Sequence, residues 1–199
     1  MKQNVSMFSD TTLCTRILAV TDRHLCPRPL EEQISRICSI RPGGIILREK
    51  DLTEKEYQEL AEQVLAVCRS YHVPCILHSW PDTAARLGCT AIHLPLPLLR
   101  DYRDTLSDFT MIGTSVHAPK EAQEAEALGA TYLTAGHIYA TDCKKDVPPR
   151  GTDFLREVCR STSLPVYAIG GIRPDEDQFR QILSCGAQGG CMMSQMMRL

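Results

Sequence analysis

Side chains able to move a proton or hold an anion recur in this chain at one kind of place, directly after a short apolar run. Arg48-Glu49-Lys50 follows GIIL, Ser115-Val116-His117 follows MIGT, and Thr141-Asp142-Cys143-Lys144-Lys145 comes shortly after Gly136-His137. Gly170-Gly171 and Met193-Ser194 close two further runs. Arginine and lysine hold phosphate or carboxylate. Adjacent glycines let backbone N–H groups approach an anion. Imidazole takes and returns a proton near neutral pH. His117 is therefore the candidate acid–base group. Arg48, Lys50, Thr141, Asp142, Cys143, Lys144, Gly170, Gly171, Met193 and Ser194 are the candidate substrate contacts. His137 reads as a residue that orders its loop, and His93 as core. His78 fits a ligand contact and a packed side chain equally well, and His24 and His72 read as surface.

Eight apolar runs carry these residues, at 17–22, 44–50, 74–79, 91–95, 111–117, 131–137, 165–171 and 189–194. Each reads as a short strand buried on both faces. Helical patterns lie between them at 29–40, 51–72, 81–88, 118–129, 151–161 and 173–186. The helix at 51–72 is the clearest, with Thr53 and Glu56 forming a capping box ahead of Leu60, Val64, Leu65 and Cys68. Strands alternating with helices imply right-handed crossovers and a parallel sheet, and eight strands close a barrel. An open doubly wound sheet is the alternative, disfavoured because no G-x-G-x-x-G follows the first strand. The expected fold is thus an α/β (β/α)8 TIM barrel spanning 16–199, preceded by an extension at 1–15. The chain stops five residues after the last run, so the last outer helix is expected to be lacking. The tail SQMMRL, the extension with Met7, Phe8 and Leu13, or a second copy in a homodimer would then cover the exposed face.

Composition narrows the partners. The 199 residues carry a formal net charge of -2, one Trp and four Phe, which argues against a nucleic-acid platform. No run approaches the roughly 20 apolar residues of a membrane span, and the first residues lack a signal-peptide core. A cytoplasmic location is the expectation. The ten cysteines form no C-x-x-C pair and several sit in apolar runs, so they read as buried, reduced thiols. Carboxylates are sparse after strands 3 and 4, so no metal is expected, and no other cofactor is implied.

The blocks ILAVTD, LREK, IGTSVHAPKEA, GHIYATDCKK, AIGGI and GGCMMS together resemble the thiamine phosphate synthase/TenI superfamily over about residues 16–195. The resemblance implies a barrel that binds a thiazole phosphate at its mouth. SVH and the GHIYATDCKK block are more similar to the TenI-type thiazole tautomerases. Tautomerases of this kind aromatise a carboxylated dihydrothiazole phosphate by proton transfer, which the resemblance assigns to His117. The substrate phosphate would then lie at Gly170-Gly171 and Met193-Ser194, and its carboxylate at Lys144 and Arg48. The synthase pattern additionally implies magnesium, a Gln two residues before the strand 2 arginine, Asn-Asp after strand 3 and Asp after strand 4. Ile46, His78-Ser79 and the Pro-Leu run ending at Leu98 stand in those places. The expectation from sequence is therefore a thiazole tautomerase without efficient synthase activity. The alternatives are the synthase itself, joining thiazole phosphate to a pyrimidine pyrophosphate, or a non-catalytic regulator that binds thiazole phosphate.

Overall fold

The computed structural model describes residues 8, 10–141 and 147–199. Eight parallel strands close into a barrel in sequence order: β1 (Ile17–Val20), β2 (Gly44–Leu47), β3 (Cys75–His78), β4 (Ala91–Pro95), β5 (Met111–Val116), β6 (Tyr132–Gly136), β7 (Val166–Ile169) and β8 (Gly189–Met192). Closure is made by β8 on β1, where Cys191 stands beside Leu18 and Met192 beside Ala19. The TIM-barrel expectation is met. Most strands end one to three residues before the apolar runs do. The residues left over leave the ladder at one pole, and the side chains with chemistry are found there.

Helices α1 (Leu30–Ser39), α2 (Glu54–Tyr71), α3 (Pro81–Arg86), α4 (Leu96–Tyr102), α5 (Pro119–Ala127), α6 (Gly151–Arg160), α7 (Glu176–Ser184) and α8 (Ser194–Met197) follow the eight strands in turn. The capping box of α2 forms as expected, with the Thr53 N–H donating to Glu56 Oε2 at 2.9 Å. Helix α2 also fixes the sheet. Tyr57 donates its hydroxyl hydrogen to the Leu47 carbonyl at 2.7 Å and accepts the His78 N–H at 2.8 Å, tying the ends of β2 and β3 together. Two helices depart from the sequence reading. Helix α4 begins in the Pro-Leu run, because a proline in the first turn needs no N–H partner. Helix α8 occupies the end where no helix was expected.

The face near β8 and β1 is covered from within the chain. Met196 and Met197 of α8 are fully buried, and Gln33 of α1 donates to the Met196 carbonyl at 2.5 Å. Phe8 packs edge-on against Phe179, with ring centroids 5.0 Å apart. Met7 lies outside the described residues. The bare face that prompted a homodimer is therefore not bare. Among the described residues, no helix is long and apolar enough to cross a membrane. Nine cysteines are described and none forms a disulfide; seven are buried and two half-buried, which fits the reading of small apolar fillers.

Two apolar layers hold the barrel together. One fills the space between strands and helices, and the other fills the barrel interior with Leu18, Val20, Ile46, Ile76, Tyr132 and Cys191. Tyr132 occupies interior space that a neighbouring side chain would otherwise need. A Cβ on Gly113, its register partner on β5, would lie 2.1 Å from the Tyr132 ring. That ring is held by His93 and by an edge contact with Tyr167 at 6.0 Å, so it has nowhere to retreat. Gly113→Ala should therefore lower unfolding stability by about 1–3 kcal/mol through overpacking, read as a fall in the urea midpoint. An unchanged midpoint would show that the Tyr132 ring is free to shift.

Candidate active site at the barrel mouth

A cavity of about 1150 Å³ opens at the pole where the strands end. Its wall takes Arg48 and Lys50 from the exit of β2, His117 from β5, Thr141 from beyond β6, Gly170 and Gly171 from β7, and Met193 and Ser194 from β8. The structure thus brings together the sequence-predicted residues that it describes. Asp142, Cys143 and Lys144 lie outside the described residues.

The His117 Nδ1 lies 2.8 Å from the Gly136 carbonyl oxygen. A carbonyl only accepts, so Nδ1 carries the hydrogen, and Nε2 is the acceptor in the neutral ring. The buried His137 is engaged likewise, with Nε2 3.1 Å from the Val147 carbonyl. It fits the part of a loop-ordering residue. Next to it, Gly170 and Gly171 turn the chain with φ of +95° and +69°. A Cβ on Gly170 would meet His137 Cβ at 2.2 Å, and one on Gly171 would meet the Ala140 carbonyl at 2.5 Å. Only glycine fits this turn, and its bare backbone borders the cavity. Ser194 opens α8 beside it. A glycine turn after β7 with a short helix after β8 is a recurrent phosphate cradle of such barrels.

The charge around the cavity is lopsided. Its described lining holds Arg48, Lys50, Arg173 and Arg198, but a single carboxylate, Asp22. None of these four cations is ion-paired to a described carboxylate. Arg48 depresses the pKa of Lys50, as two positive charges without a counterion must. Nearby acids are engaged elsewhere. Glu49 is buried and accepts from Arg23 at 3.1 Å, while Asp51 pairs with Arg23 at 2.5 Å and with His24 at 3.0 Å. Asp22 caps a 3-10 turn by accepting the His24 N–H at 3.2 Å. Sequence reasoning missed Arg173 and Arg198. Arg173 reads as the start of a helix and Arg198 as a tail residue, and only closure of the barrel turns both to the mouth.

Below the charged rim, the lining includes His78, Pro95 and Ser115. His78 stacks on His93, with centroids 5.7 Å apart. His93 uses both nitrogens, Nδ1 at 2.9 Å from the Tyr132 hydroxyl and Nε2 at 2.9 Å from Ser115 Oγ. Thr134 donates to Ser115 Oγ at 2.9 Å. His78 bonds Ser79 Oγ through Nδ1 at 2.7 Å. Burial drives both histidines to the neutral form. It lowers the His93 pKa to about 3, helped by Arg48, and that of His78 to about 2, helped by His93, Arg48 and Lys50. The two possibilities for His78 prove compatible, since it is buried and also borders the cavity.

The family model described as thiamine monophosphate synthase matches residues 17–196. The chain belongs to the thiamine monophosphate synthase family. It is 32% identical to a thiamine-phosphate synthase of Syntrophomonas wolfei over 185 residues, covering 89% of this chain and 86% of that protein. It is 35% identical to a thiamine-phosphate synthase of Halalkalibacterium halodurans, covering 90% and 86%. Among solved structures, thiamine phosphate pyrophosphorylase from Pyrococcus furiosus superposes with a TM-score of 0.79 at 28% identity, covering 93% of this chain and 88% of that one. FabK from Thermotoga maritima shares the fold alone, with a TM-score of 0.66 at 17% identity.

These relatives correct the functional expectation. They are named synthases, and their similarity runs through the whole barrel, whereas the tautomerase reading rested on the blocks around His117 and Thr141–Lys144. Family membership holds; the tautomerase assignment does not.

The histidine pair should leave a thermodynamic mark on this member of the family. In the unfolded chain both imidazoles take up protons below about pH 6.5, whereas the folded barrel refuses them until far lower pH. Stability is then fully present above pH 6.5 and falls as pH drops towards 3, by up to ~1.4 kcal/mol per pH unit for each histidine. Urea unfolding between pH 7 and pH 5 should show this slope, and His93→Gln should flatten it. An equal slope in the variant would refute neutral burial of His93.

Proposed function

We propose that this chain joins a thiazole phosphate to a pyrimidine pyrophosphate and releases pyrophosphate, the reaction for which its relatives are named. The observation that carries this reading is the similarity to thiamine-phosphate synthases across nearly the whole chain. The mouth supports it, with a glycine cradle on one stretch of wall and, on another, cations that pair with no described carboxylate.

In the joining step, the thiazole ring nitrogen forms a bond to the pyrimidine's exocyclic carbon. The bond from that carbon to the pyrophosphate oxygen breaks, and its electron pair leaves with the pyrophosphate. The ring nitrogen carries no hydrogen, so no base is needed to free it. The site's tasks are alignment and compensation of charge on the leaving group. Gly170, Gly171, Met193 and Ser194, with Arg173 and Arg198 nearby, hold the thiazole phosphate. Arg48 and Lys50 take the pyrophosphate. Thr141 borders the same mouth. His117 becomes a wall residue with Nε2 able to hydrogen-bond a substrate, not a proton shuttle.

The resemblance also implies magnesium, and the described donors do not fit it. A hard divalent cation wants several carboxylate or carbonyl oxygens. No group of three His, Cys, Asp or Glu among the described residues is arranged to hold a metal, and neutral imidazoles stand at the end of β3 and within β4. No step of the reaction is therefore routed through a metal here.

Incubation with both substrates should yield equal amounts of thiamine phosphate and pyrophosphate, measured by mass spectrometry and a coupled pyrophosphate assay. Arg48→Ala should lower kcat/KM by about 10- to 100-fold, the worth of a charge-assisted contact. His117→Ala should cost less than about tenfold, short of the 10²–10⁴ that loss of a general acid–base residue brings. Absence of product with both substrates bound would overturn the synthase reading.

A further inference from the structure

The electrostatics of the mouth lead past the choice of reaction. Four cations from three separate segments border one cavity: Arg48 and Lys50 after β2, Arg173 after β7, and Arg198 after α8. Arg48 is half-buried, and its backbone N–H donates to the buried Thr21 hydroxyl at 2.9 Å, which fixes where its side chain leaves the barrel. Among the described residues Asp22 is the one carboxylate on the cavity wall, and the two acids beside Arg48 and Lys50 are turned away. Glu49 points into the protein towards Arg23, with its side chain only 1% exposed, and Asp51 forms a two-pronged pair with the same arginine. Arg23 therefore removes two carboxylates from the neighbourhood of Arg48 and Lys50.

The floor repeats the pattern. His78 and His93 are uncharged, and both His93 nitrogens are already hydrogen-bonded. With four cations against Asp22 alone, the described lining disfavours a divalent cation. It attracts a multiply charged anion, which at pH 7 can be neutralised by direct contact with arginine and lysine.

We propose that this mouth binds a diphosphate directly on Arg48 and Lys50, with no divalent cation between the anion and the protein. That a diphosphate is the ligand rests on the synthase reading above; that the site needs no cation rests on the distribution of charge.

The test is calorimetric titration of the full chain with inorganic pyrophosphate, first in EDTA and then in excess magnesium. Binding in EDTA should be at least as tight as in magnesium. It should weaken by about 10- to 100-fold in Arg48→Gln and in Lys50→Gln, the range for a charge-assisted hydrogen bond. Far-UV circular dichroism checks that each variant is folded, and Arg173→Gln, on the thiazole phosphate side of the mouth, should weaken binding less than either of them. Binding seen only with magnesium, or binding in EDTA indifferent to Arg48→Gln and Lys50→Gln or weakened most by Arg173→Gln, overturns the proposal. The outcomes separate from the synthase reading. Pyrophosphate binding in EDTA without turnover of the two substrates fails that reading and leaves this one standing. Turnover together with strictly magnesium-dependent binding does the reverse.

Discussion

A histidine inside a barrel must be satisfied or expelled, and His93 is satisfied completely. Its two nitrogens bond Tyr132 and Ser115, so three consecutive strands, β4, β5 and β6, are held by one ring. A buried polar group without partners would cost about 1–3 kcal/mol, and none of the described buried side-chain polar atoms is left alone. The rest follows from where this ring sits. On one side Tyr132 fills the interior against Gly113 and Tyr167, closing the barrel as a packed core. On the other, Ser115 and the stacked His78 form the floor of an open cavity.

The cavity rim shows a division of charge that the net value of -2 conceals. Acidic residues are numerous, but the structure places several of them in outward pairs, such as Arg86 with Glu54 and Arg100 with Glu124. Exposed pairs of this kind contribute little to stability. Cations without such partners are collected where the strands end. Like charges gathered in this way are unfavourable in the empty protein, a cost that an anionic ligand would relieve. Binding sites commonly tolerate such local conflict.

The functional correction has a physical root. A histidine after strand 5 is a conspicuous group, and proton transfer is the chemistry it suggests. The reaction now proposed asks for no proton at the attacking nitrogen. It asks for a place to put departing negative charge, and arginines serve that need. The blocks around His117 and Thr141–Lys144, and the residues standing at Ile46, His78-Ser79 and Leu98, point to a tautomerase, but none of them displays the charge that the closed fold gathers at the mouth.

The sequence by itself determined the barrel. Eight apolar runs alternating with amphipathic helices leave one economical closure, and the residue types after each run already mark the functional pole. It also marked the glycine turn at Gly170-Gly171 and the arginine at Arg48. What it left undecided depended on contacts between distant segments. Helix α4 is hidden by Pro95, which precedes it, and Pro97, which lies in its first turn, and α8 by the shortness of the tail. Its anchoring to Gln33 of α1 joins positions 163 residues apart. The same holds for Glu49, whose neighbours in sequence are cations of the mouth but whose side chain is drawn inward by Arg23. Arg173 and Arg198 join Arg48 only because β8 pairs with β1, bringing the two ends of the chain around one cavity. Local pattern specifies elements, whereas the sign of the charge at a site is a sum over everything the closed fold brings near it.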